Sequence, residues 1–158
     1  SLFWLAVVYT RLGKYEEAEP LFQRALAIRE KIRGPEHPNT AATLFWFATN
    51  YRHQKKHKEA EPLFQRALRI YEKRLGPEHP TTLVSLETLA TFYLDTNRYK
   101  EAEPLLQRAL ALNEKSISGN LFATFLEKYA YLLRKTKRAK QAAVFEQRAK
   151  AIRAKLSS

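Results

Sequence analysis

The side chains best suited to metal or acid–base chemistry in this sequence are its histidines. His53 and His57 are four residues apart, a spacing that could place two imidazoles on one metal ion. A turn between two helices is predicted to fall between them, and no third ligand is evident, so we predict no metal site. His37 and His79 occupy equivalent positions in two predicted loops, which indicates a structural role.

Two carboxylates, Glu87 and Asp95, could in principle cooperate in hydrolysis. We place them on one helix face, eight residues apart, which corresponds to about 12 Å along the axis. This is too far for two carboxylates that act on one glycosidic bond. The sequence contains no glycine-rich phosphate loop, no nucleophile motif and no cysteine. We therefore predict no catalytic residue, no metal and no cofactor, and a protein that is not an enzyme.

A repeated sequence explains how the chain positions its side chains. The decapeptide EAEPLFQRAL occurs at 17–26 and 59–68, and EAEPLLQRAL follows at 101–110, always 42 residues further on. A fixed period of this size is typical of a stacked helical array. In the segment before each copy, apolar or small residues recur at helical spacing and predict one buried stripe per helix. In the first two copies these residues are Leu2, Leu5, Ala6 and Tyr9, and Leu44, Phe47, Ala48 and Tyr51.

Glycine and proline mark the ends of the predicted helices. Gly34 and Gly76 suit the residue after a helix end, where a left-handed backbone is needed. Prolines near helix starts, where a missing amide is tolerated, are Pro20, Pro62 and Pro104. Turns are predicted near 13–14, 34–36, 55–56, 76–78, 97–98 and 116–119. We therefore predict an all-α fold of eight helices in four antiparallel pairs, with repeats at 1–33, 34–75, 76–117 and 118–158.

This repeat resembles the tetratricopeptide repeat, in the 42-residue form found in kinesin light chains and many bacterial multi-repeat proteins. The GPEHP and EAEPL segments are marks of that form. The matching residues of the first copy are Leu2, Ala6, Tyr9, Gly13, Tyr15, Ala18, Phe22 and Ala25. The resemblance implies one right-handed superhelical solenoid over residues 1–158, with a truncated first repeat and a fourth repeat that acts as a C-terminal cap. It also implies a non-enzymatic scaffold that binds a protein or peptide in a concave groove lined by the first helices.

The resemblance also places the partner-binding side chains on those first helices. They are Phe3, Trp4, Val7, Arg11, Phe45, Trp46, Thr49, Arg52, His53, Glu87, Thr91, Asp95, Tyr131, Arg134 and Lys135. Thr10, Leu94 and Glu127 occupy further positions of the same face. The kinesin-light-chain type usually carries two asparagines where this chain has Phe3-Trp4 and Phe45-Trp46. We expect an exposed aromatic patch there, with Phe3 and Phe45 as anchors; the alternative is extra core between repeats.

Charge adds two further expectations. The net charge is +12, and residues 121–158 carry ten Lys and Arg against two acidic residues. We expect Arg11, Arg52, Arg134 and Lys135 to steer acidic groups of a partner. A self-associating array, natural or designed, that uses the Phe-Trp patch as its subunit interface is the first alternative. Binding of nucleic acid or an anionic surface by the basic C-terminal repeat is a lesser one.

The location of the protein is expected to be cytoplasmic. The chain has no cysteine, which fits a reducing compartment. No apolar run reaches the length of a membrane span, and no secretory signal is visible.

Overall fold

The computed structural model describes residues 1–112 and 114–158. Within them lie eight α-helices, one short 3-10 helix and no strand. The helices are α1 (Leu2–Arg11), α2 (Tyr15–Arg33), α3 (Pro38–His53), α4 (His57–Leu75), α5 (Pro80–Asp95), α6 (Tyr99–Ala111), α7 (Gly119–Lys135) and α8 (Ala139–Leu156), and the 3-10 helix is Glu114–Ser116. The predicted all-α helical-repeat fold is confirmed.

The chain forms two compact units, residues 1–85 and residues 86–158. In the first unit α1 packs on α2, α3 packs on α4, and α2 also packs on α3. In the second unit α7 packs on α8 and on α6. The second helix α2 therefore contacts both its own first helix, α1, and the first helix of the next repeat, α3.

Small residues let these helices approach closely. Ala6, Ala18, Ala48 and Ala60 are fully buried, and an alanine at a crossing keeps the two backbones near each other without a void. Phe22 is also fully buried, and its ring belongs to a cluster with residues of both α1 and α3. Full burial of a phenylalanine contributes about 1.5–3 kcal/mol.

The predicted buried stripe is found in α3 and in most of α1, but not at Leu5. In α3, Leu44, Phe47 and Ala48 are buried. In α1, Ala6 is buried and Leu2 and Tyr9 pack partly buried against the same cluster, together with the buried Phe3, Val7 and Thr10. Leu5 is exposed. The reason is the neighbouring helix. Phe47, the counterpart of Leu5, stacks on Phe22 of the preceding repeat, whereas within the described residues no helix precedes α1.

Each helix pair is joined by a three-residue turn whose middle residue has a positive φ. These residues are Gly13 (77°), Lys55 (59°), Asn97 (58°) and Lys137 (63°). The residue after each of them donates its amide to a carbonyl five residues earlier, as in Lys14 to Tyr9 (2.8 Å) and Lys56 to Tyr51 (2.9 Å). Glycine adopts this left-handed conformation without a steric penalty, whereas lysine does not.

The segments between repeats use their histidines as helix caps. The Nδ1 atom of His37 accepts a hydrogen bond from the amide of Asn39 (3.0 Å), and Nδ1 of His79 accepts one from Thr81 (3.1 Å). The structural role predicted for both histidines is therefore confirmed. Gly34 has a φ of 98° and a ψ of 159°. Its φ is positive as predicted, but this backbone region is almost exclusive to glycine and differs from the helical left-handed one.

The helix prolines lie deeper than predicted. Pro20 is the sixth residue of α2, so it removes the bond that its amide would make to the carbonyl of Glu16. The Pro20 side chain is exposed, so water can reach this edge of the helix.

The glutamate of the repeated EAEP segment forms an ion pair with the next repeat. Glu19 accepts a bond from Lys56 (3.1 Å) and one from the Tyr51 hydroxyl (3.2 Å). Burial, followed by the charge of Glu19, raises the pKa of Tyr51 to about 12. The ion pair joins α2 to the turn between α3 and α4.

Glu103 occupies the same repeat position in the second unit. Arg138 donates to its two oxygens at 2.8 and 3.0 Å, and the Tyr129 hydroxyl lies 3.3 Å away. The hydrogen bonds from Arg138 hold the pKa of Glu103 below its usual value. Two copies of one contact thus recur two repeats apart.

Exchange of the middle turn residues should change stability in opposite directions. Lys55→Gly should raise the free energy of unfolding by about 1 kcal/mol, because glycine adopts the left-handed backbone of this position without the steric penalty that lysine has. Gly13→Lys should lower it by a similar amount, since a Cβ at Gly13 meets no atom within 4 Å and only the backbone is strained. Urea unfolding followed by circular dichroism measures both. Lys58→Gly, inside α4, is the control and should destabilise; equal losses in Lys58→Gly and Lys55→Gly would contradict the prediction.

Glu103→Gln should destabilise the protein in a pH-dependent way. At pH 7 we expect a loss of about 1 kcal/mol, because the charged hydrogen bonds of a partly exposed pair are lost. The pKa of Glu103 is lowered by folding, so its contribution is fully present above the ordinary value of 4.5 and disappears as the pH falls through the lowered value. Unfolding of both proteins across this pH range is the measurement. Glu17→Gln, at an exposed site, is the control; a difference that persists at the lowest pH would refute the assignment.

Candidate partner-binding face

In the first unit, the first helices α1 and α3 present a face of aromatic, basic and polar side chains. Trp4 is its most exposed aromatic, with 62% of its surface accessible. The Arg11 guanidinium lies 5.4 Å from the centre of the Trp46 ring, within the range of a cation–π contact. Thr49, Arg52 and His53 follow along α3. The residues that sequence analysis placed on this helix face therefore lie on α1 and α3, but they differ sharply in exposure.

The exposed phenylalanine anchors predicted from the sequence are not found. Phe3 is only 5% exposed and Val7 only 2%, and the Arg29 guanidinium lies 4.1 Å above the Phe3 ring. Phe45 is half-buried, with its ring edge against Phe64 at 5.8 Å. Both phenylalanines point towards the second helix of their own repeat, so the expectation of exposure is wrong for Phe3 and Val7 and only half right for Phe45.

Thr10 is also buried and forms part of a polar contact between repeats. Its hydroxyl lies 3.0 Å from the side-chain oxygen of Asn50, whose amide donates to the carbonyl of Tyr15 at 3.0 Å. No repeat motif predicts this contact, because Asn50 replaces apolar residues of the other repeats. Thr10 therefore supports the face from below rather than lining it.

The two tryptophans have different environments. Trp46 is half-buried and packs against the cluster that contains Phe3, while Trp4 is exposed. In the second unit, Glu87 and Lys128 stand at the repeat positions of Phe3 and Trp46 and form an ion pair of 3.2 Å. The same contact between repeats is thus aromatic in one unit and ionic in the other. The predicted alternative of inter-repeat core applies to Trp46, and Trp4 belongs to the surface.

The second unit has a cleft of about 250 Å³ between α5 and α7. It is lined by Thr91, Leu94, Asp95, Thr124, Glu127, Lys128 and Tyr131. Leu94 is buried at its base, while Tyr131 is exposed and has the Lys135 ammonium 5.5 Å above its ring. The predicted face residues of α5 and α7 are therefore brought together around one open depression, but Glu87 is directed into its ion pair with Lys128.

Several cations of the basic C-terminal repeat are held by carboxylates. Arg134 bonds Glu146, Arg153 bonds Glu127 at 2.9 Å, and Arg148 bonds Glu114 at 2.6 Å. The hydrogen bonds that Arg134 donates to Glu146 raise the pKa of Arg134. Glu127 and Glu146 are the two acidic residues already counted in the charge of residues 121–158, whereas Glu114 lies outside this segment and reduces its charge excess further.

The histidine pair does not form a metal site. The His53 ring stacks on Tyr15 with 5.3 Å between ring centres, and α4 begins at His57, beyond the turn. Within the described residues there is no group of three or more His, Cys, Asp or Glu side chains arranged to hold a metal ion. No helix among them is long and apolar enough to cross a membrane.

Stacked helix pairs with small residues at the crossings, and a polar and aromatic face on each first helix, define a helical-repeat scaffold. A family model described as tetratricopeptide repeat matches residues 1–73 and 43–115, and a second model of the same description matches residues 88–156. The chain belongs to the tetratricopeptide repeat family.

Solved structures of similar fold support this assignment. BtubC (BKLC) from P. vanneervenii has a TM-score of 0.90 at 21% identity, over 99% of this chain and 63% of its own. A putative kinesin light chain from Podospora anserina with nearly identical TPR-like repeats has a TM-score of 0.83 at 27% identity, over 98% and 74% of the two chains. This chain thus spans less than two thirds of BtubC. No curated protein sequence matches it.

Proposed function

We propose that this chain is a protein-binding scaffold whose partner peptide lies against the first helices, with Trp4 as the principal anchor. The exposure of Trp4 is the observation that carries the proposal. A large aromatic side chain that is 62% exposed is typical of an interaction surface. Membership of the tetratricopeptide repeat family and the likeness to a putative kinesin light chain support the same class of function.

The chemistry of the face indicates what the partner carries. An apolar side chain of the peptide packs on Trp4, and an acidic residue approaches Arg11, which is exposed about two helical turns further along α1. Such a charge chiefly raises the association rate, while the aromatic anchor sets the lifetime of the complex. Phe3, Val7 and Phe45 act here as the packing beneath the anchor. The second unit has a proposed binding face of its own, which comprises Thr91, Asp95, Tyr131 and Lys135.

The same proposal includes the absence of catalysis and the location of the protein. The chain acts by binding and not by catalysis, because the Glu87 carboxylate is held by Lys128 and by the Thr91 hydroxyl at 3.0 Å, which leaves it poorly placed to exchange protons with a substrate. A cytoplasmic location is proposed on the lack of cysteine alone.

Trp4→Thr should weaken peptide binding about tenfold or more, since an aromatic anchor contributes about 2 kcal/mol when truncated. Threonine stands at the equivalent place in the third repeat (Thr88), so the fold should tolerate it. Peptides are selected from a random displayed library on the wild-type protein, and their affinities are measured by fluorescence anisotropy. Val144→Thr removes an equally exposed apolar side chain from α8 and should have no effect. Equal affinity of the Trp4→Thr variant and the wild type would refute the anchor.

Self-association is the second candidate function, and the outer side of α1 favours it. Leu5 (43%), Val8 (48%) and Leu12 (65%) are exposed there together with Trp4. The counterparts of Val8 in the other first helices, Asn50, Phe92 and Leu132, are almost fully buried. The preceding repeat covers this side of α3, and we propose that in a dimer a second copy of the chain covers it on α1.

Val8→Asn combined with Leu12→Gln should abolish dimer formation, because both changes make this side polar. The new residues are those found at the same positions of α3, Asn50 and Gln54, so helicity should be unchanged. Sedimentation velocity over a range of concentrations measures the effect. The matched control is Val144→Asn combined with Leu156→Gln on α8, where exposure is similar. A wild-type protein that stays monomeric at every concentration would contradict self-association without affecting peptide binding.

A further inference from the structure

We propose that the first unit carries a second binding site, for a short acidic peptide segment, in the cleft between α4 and the loop that precedes α3. The cleft has a volume of about 510 Å³. It is lined by Pro35, Glu36, Arg66, Arg69, Ile70 and Lys73. None of these residues lies on a first helix, so the site is distinct from the face assigned to Trp4.

The cations of this cleft already bind a carboxylate that the chain itself supplies. Lys73 forms an ion pair of 2.7 Å with Glu36, and the hydrogen bond between them is the main cause that lowers the pKa of Glu36. Arg66 bonds Glu30 at 2.7 Å and the carbonyl of Pro35 at 3.0 Å. These pairs show which chemistry the cations of the cleft accept: the carboxylates of a turn residue, Glu36, and of a helix residue, Glu30.

Arg69 is a cation of the cleft that belongs to neither of these ion pairs. It is exposed and lines the cleft, yet within the part of the chain that the structure describes its side chain forms no hydrogen bond and no ion pair. The same position in the other repeats is alanine, namely Ala27, Ala111 and Ala151. Arg69 is thus not needed for repeat packing, and its side chain is available to an incoming anion.

The geometry favours an extended acidic peptide. Arg66, Arg69 and Lys73 are spaced by three and four residues, so they lie on one face of α4. Lys73 is seven residues after Arg66, a separation of about 10 Å along the helix, which equals about three residues of extended chain. Acidic side chains at alternate positions of such a chain would meet successive cations. No aromatic residue lines the cleft, so a platform for stacking single-stranded bases is lacking there.

Arg69→Ala should weaken binding of an acidic peptide about three- to fivefold, the loss expected for one exposed charge pair. The probe is a short fluorescein-labelled peptide of alternating glutamate and serine, measured by fluorescence anisotropy at low salt. Arg24→Ala is the matched control: it removes an exposed cation from α2 that does not line the cleft, and it should leave the affinity unchanged. Alanine at position 69 is the residue of the sister repeats, so the variant should fold normally, which circular dichroism verifies.

Four results would overturn the proposal. They are no binding by the wild-type protein, unchanged binding by Arg69→Ala, equal losses in Arg24→Ala and Arg69→Ala, and tighter binding of duplex DNA with the same dependence on Arg69.

Trp4→Thr should leave this probe bound as in the wild type. If Trp4→Thr released the probe instead, the peptide would lie on the first-helix face and the cleft would not be its site.

Discussion

The structure depends on one constraint: the second helix of a repeat must be covered on two sides. Phe22 illustrates it, because its fully buried ring lies among residues of α1 and also stacks on Phe47 of α3 at 5.5 Å. Neither first helix alone could remove that ring from water. The hydrophobic gain of each repeat is therefore realised only when its neighbour is present, which makes the stability of such arrays a property of adjacent pairs.

Two kinds of contact fill the space between first helices of successive repeats. In the first unit it is the aromatic packing of Trp46 on the cluster of Phe3, and in the second it is the ion pair of Glu87 with Lys128. Both occupy the same repeat positions, so the backbone arrangement does not dictate which chemistry is used. The side chains at these positions instead decide the chemistry of the exposed face, which is aromatic and basic in one unit and a polar cleft of mixed charge in the other.

The repeat period and its glycines and prolines were enough to predict the helices, their turns and the roles of His37 and His79. Exposure was harder to predict, because Phe3 and Trp4 are adjacent in sequence yet one is 5% and the other 62% exposed. Which of two neighbouring aromatics faces the second helix depends on how the helices are rotated, and periodicity fixes this only within about one residue. Long-range ion pairs such as Glu103 with Arg138 leave no local signal, and neither did the contact of Asn50 with Tyr15.

The first and last helices among the described residues differ in the chemistry that they expose. Leu5 and Val8 of α1 are exposed, whereas α8 has Glu146 where α2 has the buried Phe22, and that carboxylate is engaged by Arg134. Burial of a carboxylate under another helix would be costly. An engineer who lengthens this array could therefore append repeats before α1 with few changes, but would first have to restore an apolar stripe on α8 before extending it in the other direction.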